Sequence, residues 1–259
     1  MEFWFLVLSI FDLSLSKGVE FETSDIEEFE ELNQTIRKLI AENVNAYNQQ
    51  KAFVANASHE LQTPIALLKS KLDILFQDEK LSAKQSELVN AIQIPLARLT
   101  RVNKNLLLLA RIDNSKFSDI SEIDFSEKVE KSEELLQDYI SERKLTYKKE
   151  ISGIARVTCS LFLAETLVNN LLSNAIRHSP VSSHIIVRID ENGISFLNSG
   201  LERLKDESLF KRFSISTTET TNSGLDLAIV KEICKQNGWE INYDFLDYFH
   251  IFSVRFGKF

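Results

Sequence analysis

The sequence predicts a helical hairpin followed by an α/β domain on a mixed sheet, and three observations predict it. The apolar residues Val54, Ala57, Leu61, Ile65, Leu68, Leu72 and Leu75 step by three and four, one stripe of a helix. A second set, Leu88, Ile92, Pro95, Leu99, Val102, Leu106 and Leu109, alternates fours and threes, which is a heptad seam. After Lys116 the texture changes to short β-prone runs alternating with amphipathic stretches.

Size and charge narrow the function classes. At 259 residues the chain has room for two modest domains and a linker. A formal charge of −8 argues against a nucleic-acid partner, which would need clustered Lys and Arg. Cys159 and Cys234 lie far apart in apolar company, as buried thiols of a reducing compartment do, with no disulfide or metal framework.

Each element has its own signal. Residues 1–23 hold the apolar run Phe3–Phe11, which stops at Asp12. Those nine residues would rise only ~14 Å as a helix, against roughly 30 Å of bilayer hydrocarbon. With Glu2 in place of a basic n-region, the run reads as a membrane-helix remnant, a membrane-surface anchor, or a tail packed on a partner helix. Residues 24–50 read as a helical linker capped by Ser24 and Asp25, running without Gly or Pro into the hairpin at 51–115. A polar turn, Gln77–Ser82, separates the hairpin's helices. Two such helices bury little alone, but two copies make a four-helix bundle, so a homodimer is expected.

For residues 119–259 the expected order is a strand at Ile123–Phe125, a helix at Ser126–Arg143 and a strand at Leu145–Ile151. A helix at Ser160–His178 and strands at Ile185–Ile189 and Gly193–Leu197 follow. A helix at Leu225–Gln236 and strands at Glu240–Phe245 and His250–Phe256 close the chain.

The most informative residue is His59. It lies two positions from both Ala57 and Leu61, which at about 100° per residue puts its imidazole on the wet side of the helix. A lone surface histidine is usually just a solvated side chain. A zinc site of the H-E-x-x-H kind fails because Thr63 stands where the second ligand belongs. The remaining reading is nucleophilic: a neutral imidazole with a free lone pair, and Glu60 holding the other ring N–H and taking up the proton. Thr63, one turn on, could instead orient a water. Pro64 would bend the helix just after this turn, and Pro95 should kink the second helix roughly opposite it.

The run His59-Glu-Leu-Gln-Thr-Pro64 resembles the phospho-acceptor box of two-component sensor histidine kinases. The resemblance implies a dimerisation and phosphotransfer hairpin followed by an ATP-binding α/β sandwich. Downstream, Asn170, Asn174 and His178 are spaced by four with Arg177 beside them, one polar face of a helix. Amide oxygens suit Mg²⁺ and Arg177 can pair with a phosphate. The run is similar to the family's N-box, which implies Asn174 as the main Mg²⁺ ligand with Asn170 assisting, and a nucleotide-side role for His178.

In Asn198-Ser-Gly200, the resemblance places Asn198 where the family has an Asp that accepts from the adenine amino group. Gly200 would permit close backbone approach. Leu209–Phe213, with Phe210, resembles the F-box, and Ser214–Ser223 suits a lid. Ser223-Gly224-Leu225 opens a helix whose N–H groups and dipole suit phosphates. The family's second glycine is replaced by Asp226, a carboxylate expected to repel the triphosphate by of order 2 kcal/mol, some thirtyfold in affinity.

These features together imply a kinase that phosphorylates His59 from Mg-ATP and passes the phosphoryl group to an aspartate of a separate response regulator receiver domain. It would work at the cytoplasmic face of a bacterial inner membrane, or in the cytoplasm if the N-terminal segment does not insert. Two other classes stay open: a phosphatase-biased or weakened family member, and a non-enzymatic dimeric scaffold.

Overall fold

The computed structural model describes residues 27–77, 81–114, 117, 119–204, 209–211 and 224–257. The apolar N-terminal run, the caps Ser24 and Asp25, and the Ser214–Ser223 stretch lie outside the described residues. The chain divides into two compact units, Met1–Asn56 and Ala57–Phe259. Among the described residues, no helix is long and apolar enough to cross a membrane.

Helix α1, Glu27–Phe76, is the expected rod and runs unbroken through Pro64. In the first unit Ile36, Ile40, Val44 and Tyr47, spaced by fours and a three, are partly covered, whereas Phe29 and Leu32 are exposed. Helix α2, Ala83–Asn114, likewise continues through Pro95. Its start is a capping box: the Gln85 side chain accepts from the Ser82 N–H at 2.9 Å while Ser82 Oγ accepts from the Gln85 N–H at 3.3 Å.

Beyond it come β1 (Ile120–Asp124), α3 (Phe125–Glu142), β2 (Thr146–Ile151), β3 (Arg156–Ser160) and α4 (Leu161–His178). They are followed by β4 (His184–Asp190), β5 (Gly193–Ser199), α5 (Asp226–Asn237), β6 (Glu240–Leu246) and β7 (Phe249–Arg255). Five strands form one sheet in the order β2-β4-β5-β7-β6, with β2 parallel to β4 and the other neighbours antiparallel. The sheet is mixed, as expected. Sequence reading missed β3, a five-residue strand paired antiparallel with β1, which is mostly exposed. A short strand without apolar alternation leaves little periodic signal.

The inward residues of the sheet alternate: Ile185, Val187 and Ile189 on β4, Phe252 and Val254 on β7. Leu163, Leu167, Leu171 and Ala175 of α4, with Ile229 and Ile233 of α5, bury against the same core. Ser160 caps α4 by accepting from the Leu163 N–H, so the predicted helix start was one residue early. Phe125, Trp239 and Phe256 close one end, their rings 4.6–5.8 Å apart. Both cysteines are buried free thiols, as the sequence suggested, and burial pushes the Cys159 thiol up to about 11 and the Cys234 thiol up to about 12.

Leu109 and Ile112, from the last turns of α2, sit inside this α/β core. The expected boundary near 115 is therefore bridged by packing, and the hairpin from Ala57 onward shares the second unit with the α/β domain.

Candidate nucleotide and phospho-acceptor site

His59, Glu60 and Thr63 are all exposed on α1. The residue before them is not. Ser58 is buried, and its carbonyl accepts from Asn103 Nδ2 of α2 at 2.7 Å. This bond ties the histidine's turn to α2 and leaves the imidazole facing out. It also locates the partner turn: Asn103 stands across from the histidine's neighbour, and Pro95 lies eight residues earlier, ~12 Å along the helix. The expected proline kink opposite His59 is therefore misplaced by two turns.

Helix α4 presents the four polar groups predicted for it. Asn174 is buried, and Asn170, Arg177 and His178 are partly covered. Asn170 Nδ2 donates to the Thr166 carbonyl at 2.8 Å, which leaves its amide oxygen as the atom on offer. The donor set is two amide oxygens, which fits a hard cation that keeps several waters.

Asn198 lies at the end of β5 with 1% of its surface exposed. Its Nδ2 makes a long 3.4 Å bond to the Ser199 carbonyl, and its Oδ1 is buried with no partner among the described residues. A buried amide oxygen without a donor costs roughly 1–3 kcal/mol, which a ligand amino group would recover. That orphaned acceptor is the atom that the expected adenine contact would use. Gly200 has another neighbour: a Cβ there would collide with His250 Nε2. The backbone is therefore closely approached by a histidine that sequence reading did not single out. Phe210 is partly buried against the core.

At the start of α5, Gly224 has φ +64°, the left-handed region that glycine enters without a Cβ penalty. Leu225 is the N-cap and is fully buried, with no side-chain cap hydrogen bond among the described residues. Ser223 lies outside the described residues.

Asp226 departs most from expectation. Its carboxylate is buried and accepts from Arg101 Nη2 at 2.7 Å, Arg177 Nη1 at 3.0 Å and Asn105 Nδ2 at 3.1 Å. Arg177, expected to pair with a phosphate, is thus engaged with Asp226, and Asp226 is engaged with α2 rather than standing uncompensated. Sequence reading missed Arg101 and Asn105. The available signal was their four-residue spacing on one helix face, combined with a carboxylate out of place at 226.

Two family models match the chain: the His Kinase A (phospho-acceptor) domain at residues 49–115, and the histidine kinase-, DNA gyrase B- and HSP90-like ATPase at residues 161–252. This chain belongs to the two-component sensor histidine kinase family. It is 28% identical over 236 residues to sensor histidine kinase HprS of Escherichia coli K12, covering 88% of this chain and 52% of that protein. It is 26% identical over 228 residues to the phosphate regulon sensor protein PhoR of Haemophilus influenzae, covering 81% of this chain and 51% of that protein. The chain spans about half the length of these curated relatives.

Among solved structures, full-length ShkA in complex with AMPPNP shares the fold at a TM-score of 0.63 and 20% identity, over 79% of this chain and 45% of that one. The Acinetobacter baumannii histidine kinase AdeS does so at 0.54 and 23%, over 77% of this chain and 97% of that one. The kinase hairpin and the mixed-sheet ATPase domain are thus both present, in the predicted order.

Proposed function

We propose that this kinase core phosphorylates His59 from ATP and hands the phosphoryl group to an aspartate of a separate response regulator receiver domain. The observation that carries the reading is an exposed His59 in one compact unit with a buried Asn198 whose side-chain oxygen has no donor among the described residues. The adenine amino group donates to Asn198, and Phe210 and His178 line the nucleotide, while Gly200 makes room for the His250 ring. The phosphates are received at the start of α5, behind Gly224 and Leu225, with Arg177 beside them in its ion pair with Asp226. Mg²⁺ would be held by Asn174 and Asn170 and, when bound, offsets phosphate charge.

A neutral imidazole lone pair attacks the γ-phosphorus in line, forming an N–P bond as the bond to the ADP oxygen breaks. Glu60 holds and then accepts the proton on the other ring nitrogen. Thr63, on the same exposed face, orients water when the phosphorylated regulator is hydrolysed. The protein works as a homodimer through the hairpin, and membrane association is through the apolar N-terminal segment. Placement at the cytoplasmic face of the inner membrane follows from that.

The test is labelling with γ-phosphate-labelled ATP. Wild type should acquire an acid-labile, base-stable label that His59→Gln lacks and that a receiver domain removes. Label persisting in the variant defeats the reading.

A further inference from the structure

Asp226 opens the helix whose start receives the phosphates in the reading above, and this inference rests on that reading. A lone carboxylate there would repel a triphosphate. The structure shows what compensates it: Arg177 comes from the ATP-binding domain itself, but Arg101 and Asn105 come from α2 of the hairpin. Arg101 and Asn105 are one turn apart and so share a face, while Asn103 between them turns the other way to hold Ser58. The same two turns of α2 therefore grip the helix that receives the phosphates and the turn that carries His59. Arg101, Arg177 and Asp226 sum to a formal charge of +1, whereas Arg177 and Asp226 alone sum to zero.

We propose that Arg101 is a positioning residue that couples nucleotide binding to docking: the hairpin supplies the cation that makes the Asp226-bearing phosphate site attractive to ATP. Bound phosphates raise the need for a counter-charge on Asp226, so nucleotide holds the ATP-binding domain on the hairpin. By reciprocity, docking tightens nucleotide. A family member with glycine at this position would have no such requirement.

The full chain is titrated calorimetrically with Mg²⁺ and the β,γ-imido analogue of ATP. Arg101→Met should weaken binding about tenfold, because it removes the guanidinium that the hairpin supplies to Asp226. Arg101→Lys, which keeps the charge, should stay within about threefold of wild type. In an Asp226→Asn background, adding Arg101→Met should change affinity less than about twofold, because there is no carboxylate left to compensate. Unchanged affinity in Arg101→Met, equal losses in Met and Lys, or a loss that persists in the Asp226→Asn background each overturns the coupling alone. A wild type that takes no nucleotide overturns the kinase reading and the coupling with it.

Discussion

Asn198 and His250 face each other across β5 and β7, and each buries a polar group for a different reason. Asn198 Oδ1 waits for a donor. His250 is satisfied: its Nδ1 lies 2.9 Å from the Tyr243 hydroxyl, its ring packs against Tyr243 and Phe245, and its other edge abuts Gly200. Burial lowers the His250 pKa, so folding favours the neutral ring. The unfolded chain binds that proton with a pKa near ~6.5, so unfolding takes up a proton below that value and stability falls as pH drops through it. The melting temperature should therefore fall between about pH 7.5 and about pH 5.5, and fall less in His250→Gln. Equal falls in both proteins would remove His250 as the cause.

Among elements, α2 does most to organise the site. One face holds the acceptor turn through Asn103, another holds Asp226, and its end enters the α/β core through Leu109 and Ile112. Asn103 is 3% exposed, and Asn103→Ala removes its bond to the Ser58 carbonyl together with a buried Oδ1 that has no partner among the described residues, a net loss of about 0.5–1.5 kcal/mol. Urea unfolding should show a lower midpoint at unchanged slope. A midpoint equal to wild type would mean that the bond holds nothing.

For the whole molecule, the seam positions say what the single chain leaves undone. Leu61, Leu68 and Leu75 of α1, with Leu88, Ile92 and Leu99 of α2, are exposed large apolar residues on heptad spacing. A second copy of the hairpin is the surface that fits them. Sedimentation should give twice the chain mass for wild type and the single-chain mass for Leu68→Asp combined with Leu99→Asp. A dimer that survives both charges would place the interface elsewhere.

What could be read in advance was whatever repeats along the chain or needs particular atoms. The stripe ending at Leu75, the α4 face from Asn170 to His178 and the exposed His59 all follow from local spacing, and Gly224 from a backbone only glycine adopts without cost. Strand β3 escaped because its partner β1 lies across the whole of α3 in sequence, and pairing, not pattern, makes it a strand. Asp226 escaped for the same reason at larger range: its partners Arg101 and Asn105 lie 125 and 121 residues away. Sequence alone makes Asp226 a repulsive neighbour for phosphate, since a charge can be read locally. Whether that charge is compensated depends on which helices the fold brings together, and only the tertiary structure set an arginine from the hairpin against it.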